Sequence, residues 1–449
     1  MHRQRDHLLA LTVALALVLI AVFSSWAQTP PQAPASQDPS VAWWKGNLHT
    51  HSLWSDGDDY PEMIADWYKQ AGYHFLALSD HNILSQGQKW IDPVSSRGGT
   101  EALKKYQERF GPGWVEEREL DGTRLVRLKP LGEFRHLLEE SGDFLMIQSE
   151  EITDRFRNLP VHLNATNLLA LIVPRGGSSV REVIENNVNA VLEQRQETGQ
   201  PMFVHVNHPN FGWALTAEDL AAVAGERFFE VYNGHPAVHN AGDELHAGTE
   251  RMWDIILTLR LAELGGELMY GVATDDAHHY HEFLREKSNP GRGWVVVRAA
   301  RLTPESIVAA MESGDFYAST GVSLSKMDGG ANEVRLEVQP EKGVTYTTQF
   351  IGTRKEYDRR TEPVLDEDGN EVYATRRYSD EIGEVLAEVE GIAPSYAFTG
   401  EELYVRAKVV SSKPTEHSGG TGEVEACWTQ PVIPGPEQQQ AARTRVPPR

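Results

Sequence analysis

Two histidines two residues apart, with a carboxylate and a glycine close behind, mark where this chain could do chemistry. The stretch is His49-Thr50-His51-Ser52-Leu53-Trp54-Ser55-Asp56-Gly57. In extended backbone, residues i and i+2 face the same way. His49 and His51 therefore present two imidazoles to one ion from the end of a strand. Asp56, after a short loop, offers an oxygen to that ion or to a neighbour. Imidazole with carboxylate suits zinc, manganese or iron better than calcium. A lone His-x-His is a weak signal, but the pattern repeats. Ser79-Asp80-His81, Ser149-Glu150-Glu151, Asn207-His208-Pro209 and Thr274-Asp275-Asp276-Ala277-His278 each follow a short apolar run, and Val161-His162-Leu163-Asn164 lies nearby. Chance scatters histidines, but it rarely adds an acid at four of five strand ends.

The elements that must position these groups are legible as a βα alternation. Val41–Leu48 reads as a strand. Asp59-Tyr60-Pro61-Glu62 starts a helix, with proline tolerated in the first turn. Met63, Ile64, Trp67, Tyr68 and Ala71 follow at helical spacing, Gly72 ends it, and His74–Leu78 is the next strand. Strand, helix, strand within about forty residues favours a parallel sheet or barrel, whose chemistry sits at the C-terminal strand ends. Residues 85–143 break the rhythm with Gly98-Gly99 and Gly111-Pro112-Gly113 and read as an insertion over the mouth of the site. Strands resume at Phe144–Gln148, Met202–Val206, Phe228–Tyr232 and Met269–Ala273. Helices are expected over Val180–Glu197, from the Thr216 cap to Ala224, over Glu250–Leu264 and over Pro304–Ser313. Residues 321–429 alternate apolar and polar around the turn signal Asp366-Glu367-Asp368-Gly369-Asn370, as in a small antiparallel β domain.

Composition bounds the rest. Of 449 residues, 65 are acidic and 42 basic, a net charge of −23. That balance argues against nucleic acid and against anionic membranes. Cys427 is the single cysteine, so no internal disulfide forms. Residues 1–27, with Arg3 and Arg5 before an apolar run and small residues at Ser25-Trp26-Ala27, read as a signal peptide. The alternative is an uncleaved N-terminal anchor. Residues 28–40 read as a flexible linker and 430–449 as a disordered tail. The expected location is secreted or periplasmic, with a small-molecule substrate and an undetermined oligomeric state.

Several residues carry two readings. Glu230 either orients a ligand histidine or packs at the sheet floor. Asp80 orients a ligand or fixes a loop. Arg155 and Arg157 either meet an anionic substrate oxygen or belong to a surface loop. His235 and His239 line the pocket or sit in a loop. His205 competes with His208, Glu150 with Glu151, and Asp275 with Asp276. His74 reads as structural, and His279 and His281 as solvent-facing.

With these residues in order, the chain from about residue 43 to 320 resembles the PHP (polymerase and histidinol phosphatase) metallohydrolases. Thr274-Asp275-Asp276-Ala277-His278, Phe316-Tyr317-Ala318-Ser319-Thr320-Gly321 and Ala426-Cys427-Trp428-Thr429-Gln430-Pro431-Val432 resemble the carbaryl-hydrolase-like (CehA/McbA) branch. The resemblance implies an α/β fold: a distorted (β/α)7 PHP-type barrel over 41–320, followed by the small β domain. It also implies two or three divalent ions, zinc, manganese or iron. His49, His51, Glu151 and Asp276 would hold the first. Glu151 would bridge to a second held by His162 and His208. Asp56, His81 and His278 would hold a third. The family pattern selects Glu151, Asp276 and His208 from the competing pairs.

The chemistry implied is hydrolysis by a metal-bound hydroxide, first of phosphoesters, alternatively of a carbamate, amide or ester. A third reading is a secreted, non-catalytic binding protein on the same barrel. No Gly-x-Ser-x-Gly elbow, P-loop or dinucleotide glycine fingerprint competes.

Overall fold

Strand β1 (Ala42–Asn47) leads straight into the His49–His51 pair, and helix α1 (Pro61–Gln70) carries the chain back to β2 (Phe75–Leu78). Pro61 occupies the first helical turn, Glu62 and Lys69 sit at the dipole ends that favour them, and Gly72 takes a left-handed φ of 76° just beyond the helix. The computed structural model describes residues 41–416 and 423–435. The chain divides into two units, Met1–Val41 and Ala42–Arg449. Every helix and strand among the described residues belongs to the second. The stretches read as signal peptide and linker lie outside the described residues. Among the described residues no helix is long and apolar enough to cross a membrane.

Residues 85–143 fold into a three-stranded antiparallel sheet (Lys89–Ile91, Glu117–Leu120, Thr123–Leu128) with helices α2 (Gly99–Phe110) and α3 (Leu131–Leu138). Leu103, Tyr106, Val126 and Leu128 of this segment share one apolar cluster with Leu53, Trp54 and Tyr60. The insertion is thus packed against the loop that follows β1.

The chain then continues through β3 (Leu145–Phe156), β4 (Leu159–Thr166), α4 (Val180–Thr198), β5 (Phe203–Val206), α5 (Ala217–Ala222), β6 (Phe228–Asn233), α6 (Thr249–Leu259), β7 (Tyr270–Thr274), β8 (Trp294–Ala299), α7 (Pro304–Glu312) and β9 (Phe316–Ser319). The helix starts follow their caps. Ser179 and Thr303 accept from the third helical N–H, and Thr216 with Asp219 forms a reciprocal capping box. One difference from the sequence pattern matters for the site. The strand expected to stop near Gln148 runs on to Phe156, because β4 pairs with it antiparallel from Leu159 to Thr166. Glu151 therefore sits inside a strand rather than on the loop beyond it.

The architecture is mixed α/β, with one large sheet of parallel and antiparallel strands and small antiparallel sheets. The large sheet runs β7-β6-β5-β4-β3-β2-β1-β8-β9 and continues through β13 (Val424–Thr429), β12 (Glu402–Pro414), β10 (Tyr346–Arg354) and β11 (Glu384–Glu390). The pairs β1/β2, β2/β3, β5/β6 and β6/β7 are parallel. Just past β1 and β7 the two chain directions meet. Thr50 bridges Ala277, His51 N–H donates to Ala277 O (3.0 Å), and Asp276 N–H donates to His49 O (3.1 Å). That junction brings the first and last site segments together.

In the C-terminal half the turn at Asp366 is built as its sequence suggests: Asp366 N–H donates to Asn370 O, and Leu365 bridges Glu371. Tyr317 of β9 pairs with Thr429 of β13. Of the stretch read as a tail, residues 430–435 are described. Gln430 is buried, its side chain accepting from and donating to the Gly271 backbone at 2.9 Å each way, and Val432 bridges Val405.

Candidate metal centre

The C-terminal ends of β1, β2, β5 and β7 and the β3/β4 pair deliver nine side chains to one place. His49 and His51 follow β1, Asp56 its loop, and His81 follows β2. Glu151 and His162 face each other from β3 and β4, where Glu151 pairs with Asn164 and Thr153 with His162. His208 follows β5, and Asp276 and His278 follow β7. All nine residues named for metal binding from the sequence converge here.

Glu151 stands at the middle. Its Oε2 lies 3.4 Å from His49 Nε2, 3.1 Å from His51 Nε2 and 2.8 Å from His81 Nδ1. Its Oε1 lies 2.9 Å from His162 Nδ1 and 3.4 Å from His208 Nε2. One carboxylate thus faces two sets of imidazoles. Asp276 Oδ1 is 3.3 Å from Nε2 of both His49 and His51. Asp56 Oδ1 is 3.3 Å from His278 Nε2 and 3.6 Å from both His81 Nε2 and His51 Nδ1. Among the described residues five groups of three or four His, Asp and Glu bring donor atoms within 4.8 Å of one another. Four are drawn entirely from the nine, and they overlap: His49 appears beside Glu151 and again beside His208 and Asp276.

The orienting partners are equally specific. Glu230 is fully buried and accepts four hydrogen bonds: from His49 Nδ1 (2.7 Å), Thr274 Oγ1 (2.7 Å), His208 N–H (2.7 Å) and Asn233 Nδ2 (2.8 Å). Burial alone would raise its pKa, but His49 and His205 outweigh that and hold it well below the usual carboxylate range. An ionised Glu230 only accepts, so His49 Nδ1 carries a proton and Nε2 is the nitrogen that faces the centre. Asp80 fixes the loop after the histidine pair, taking Ser52 N–H (2.8 Å), Ser52 Oγ (2.8 Å) and Ser55 Oγ (2.6 Å).

The competing pairs separate cleanly. Glu150 faces away from the cluster, accepts from Ile172 N–H (2.8 Å), and is pushed by burial up to about 8. Asp275 is enclosed by the N–H groups of Gly291, Arg292 and Gly293 and the Tyr68 hydroxyl. His205 lies fully buried in β5, its Nε2 3.5 Å from Glu230 Oε1, and it shares with His49 and Glu230 the one group of donors not drawn entirely from the nine. Asp276 and His208 hold left-handed φ values of 50° and 24°, unusual for non-glycine residues and common at functional sites.

Other expectations fall outside the cluster. His74 accepts from Lys45 N–H (3.0 Å) in a structural contact. His281, read as solvent-facing, is half-buried with Nε2 3.0 Å from Asp58 O and Nδ1 3.1 Å from Lys105. His279 accepts from Ser288 N–H (3.3 Å). His235 stands at the rim, its ring 5.6 Å from that of His278, and burial lowers its pKa to about 4. His239 stacks on Trp213. Arg155 and Arg157 are exposed, with no described ion pair to the nine. Sequence reasoning passed over the asparagines. Asn207 donates to Glu151 Oε1 (2.9 Å), and Asn233 donates to Asp276 Oδ2 (3.2 Å) as well as to Glu230. Their positions beside His208 and before Gly234-His235 were the available signal.

Three buried atoms at the centre have no hydrogen-bond partner: His49 Nε2, His51 Nε2 and Glu151 Oε2. Orphaned buried polar atoms cost roughly 1–3 kcal/mol each, and divalent ions satisfy all three kinds at once. The electrostatics agree. Burial would raise the Glu151 carboxyl, but His81, His49 and His162 hold it far below the usual range. Asp276 is held low in the same way by His49, His51 and His278. His49 is drawn well above its ordinary value, since Asp276, Glu230 and Glu151 outweigh its burial. The site draws positive charge into a buried space, and its donor set fits mid-row divalent metals. A cavity of about 910 Å³ opens at the opposite ends of the strands. Its arginines already face acids, Arg195 with Glu312 and Arg298 with Asp315, and it contains none of the nine.

No family model and no curated protein matches the chain. Among solved structures it is similar to a two-domain protein from Bacteroides vulgatus containing a predicted PHP-like metal-dependent phosphoesterase. The identity is 13%, covering 87% of this chain and 96% of that one, with a TM-score of 0.36. It is also similar to an inferred metal-dependent phosphoesterase from Bifidobacterium adolescentis, at 14% identity over 52% and 87% of the two chains and a TM-score of 0.26. Both scores are low, and the functional reading rests on this chain's own side chains.

Proposed function

We propose that this protein is a metal-dependent hydrolase of the PHP type, its strands β1–β7 forming the distorted barrel of that family, acting on phosphoesters of small molecules and exported from the cytoplasm. The observation that carries the reading is the convergence of His49 Nε2, His51 Nε2 and Glu151 Oε2, buried and unpartnered, inside a ring of nine potential ligands.

His49, His51 and Asp276 would hold one ion with Glu151. Glu151, through its second oxygen, would reach a second ion with His162 and His208. Asp56, His81 and His278 would complete a third position. Bound divalent ions bring the pKa of a coordinated water towards about 7 and offset charge on a substrate oxygen. The chain's own residues supply the rest. Glu230 fixes the His49 tautomer, Asn207 and Asn233 orient Glu151 and Asp276, and Asp80 holds the loop that carries His51 and Asp56. His235, whose ring burial keeps neutral at neutral pH, stands at the rim beside His278, where a substrate would enter.

The test is metal analysis of the purified protein, followed by turnover of a nitrophenyl phosphate and a naphthyl carbamate. The phosphate ester is expected to be the better substrate. His51→Ala should lower metal content and reduce turnover by more than about 100-fold, beyond the usual effect of an orienting partner. Full activity in that variant would end the assignment. Turnover of the carbamate alone would replace the phosphoester reading with the carbamate one. Cell fractionation tests export.

A further inference from the structure

The insertion brings more than apolar cover to the site. Its tip, between Ile91 and helix α2, carries Arg97, whose Nη2 lies 3.6 Å from Asp56 Oδ2. The other oxygen of the same carboxylate faces His278 and His81. Among the described ion pairs, no other lysine or arginine reaches one of the nine.

From this placement we infer that Arg97 is a substrate-binding residue that grips the anionic oxygens of a phosphoryl group beside the cluster. The inference rests on the hydrolase reading and extends it to the substrate's charge. Three observations support it. At 3.6 Å the contact with Asp56 is a charge pairing longer than a hydrogen bond, and among the described hydrogen bonds the Arg97 guanidinium donates none. Its donors, five in a planar fork suited to phosphate oxygens, are unspent. The side chain is 57% exposed beside an Asp56 that is 33% exposed, so a ligand entering the site meets it. And its backbone is fixed, while its side chain is mostly exposed and paired only with Asp56 among the described ion pairs. A Cβ on Gly98 would lie 2.2 Å from Asp58 O, so only glycine lets the tip pack this closely on the metal loop. Asp92 closes the preceding turn through Val94 N–H (2.9 Å) and Ser95 Oγ (2.8 Å), and the Lys89 ammonium donates to Trp54 O. The tip therefore delivers a cation to one spot at the edge of a site otherwise made of imidazoles and carboxylates.

The test uses the full chain loaded with manganese. Calorimetry measures binding of inorganic phosphate, elemental analysis measures metal content, and steady-state kinetics with nitrophenyl phosphate gives KM and kcat. Arg97→Ala should weaken phosphate binding by about 10–100-fold and raise KM, with metal content unchanged. Arg97→Lys should recover part of the affinity, because lysine restores charge without the bidentate fork. Wild-type phosphate affinity in Arg97→Ala overturns the inference. So does loss of phosphate binding in step with loss of metal, since Arg97 would then only steady Asp56. A loaded wild-type protein that binds no phosphate overturns it as well. Binding and turnover are read separately. A protein that binds phosphate through Arg97 yet hydrolyses no ester would sink the hydrolase reading and leave this one standing.

Discussion

At Glu230 one buried carboxylate sets the direction of several neighbours, and the effect of removing its charge is specific. Glu230→Gln keeps the shape but no longer enforces protonation of His49 Nδ1, and it puts an amide against at least one donor among His49, Thr274, His208 N–H and Asn233. Metal affinity is expected to fall about 10–100-fold, measured by competition with a chelating dye, while the circular dichroism spectrum stays that of the wild type. Unchanged affinity would show that Glu230 only packs. A second buried acid, Glu226, lies at the other end of β6 and makes a different prediction. Burial, only partly offset by Phe228 N–H and Arg260, raises its pKa to about 8. A carboxyl whose folded pKa exceeds its unfolded value, near 4.5, binds a proton more tightly when folded. Its contribution is therefore complete below about pH 4.5 and is lost as pH rises towards 8. Glu226→Gln should flatten that decline, by on the order of 3–5 kcal/mol for the full shift, in urea titrations at pH 5 and pH 8. Parallel pH dependence in variant and wild type would refute it.

The elements around the site owe their positions to close approaches as much as to hydrophobic pattern. Helix α2 and the turn before it touch the Asp56–Asp58 loop because Gly98 has no side chain. Its φ of −76° is open to any residue, so the penalty for a side chain there is purely steric. Gly98→Ala should cost about 1–3 kcal/mol in urea unfolding and should also weaken metal binding, because the displaced tip pushes on the loop carrying Asp56. A neutral substitution would mean that the insertion yields without moving that loop. The same scale explains a misread boundary. Residues 144–148 look like a strand that stops, but β4 returns antiparallel and extends β3 past Glu151 to Phe156. No local signal in Ser149-Glu150-Glu151 announces a partner fifteen residues later.

In the whole molecule the C-terminal β segment and the βα portion are joined by a buried charge network. Arg406 of β12 makes a paired contact with Asp254 of α6 (2.8 and 2.7 Å), Tyr404 donates to the same carboxylate (2.8 Å), and the Arg406 guanidinium lies 4.8 Å from the centre of the Trp253 ring. Arg406 and Asp254 are almost wholly enclosed. Asp254→Ala leaves a buried guanidinium without its partner, expected to cost about 3–5 kcal/mol. Because β9 and β13 are hydrogen-bonded into one sheet, wild type and variant should each unfold in one transition, followed by fluorescence and far-ultraviolet signals together. Two separated transitions in the wild type would show that the segment folds alone.

What the sequence determined by itself was the inventory of potential ligands and the order of the elements that carry it. Histidines and acids at the ends of apolar runs report their chemistry through residue type and a two-residue or helical period, and both are local properties. The tertiary structure decided which member of each adjacent pair turns inward. On a strand, neighbours point to opposite faces, and only the register with β4 and the turn at Arg292–Gly293 settles that Glu151 and Asp276 face the cluster while Glu150 and Asp275 do not. It also decided that Glu230 and the asparagines hydrogen-bond to His49, Glu151 and Asp276, and that an arginine from the insertion stands beside Asp56. Those contacts join residues far apart in the chain, and sequence spacing holds no record of distances through space.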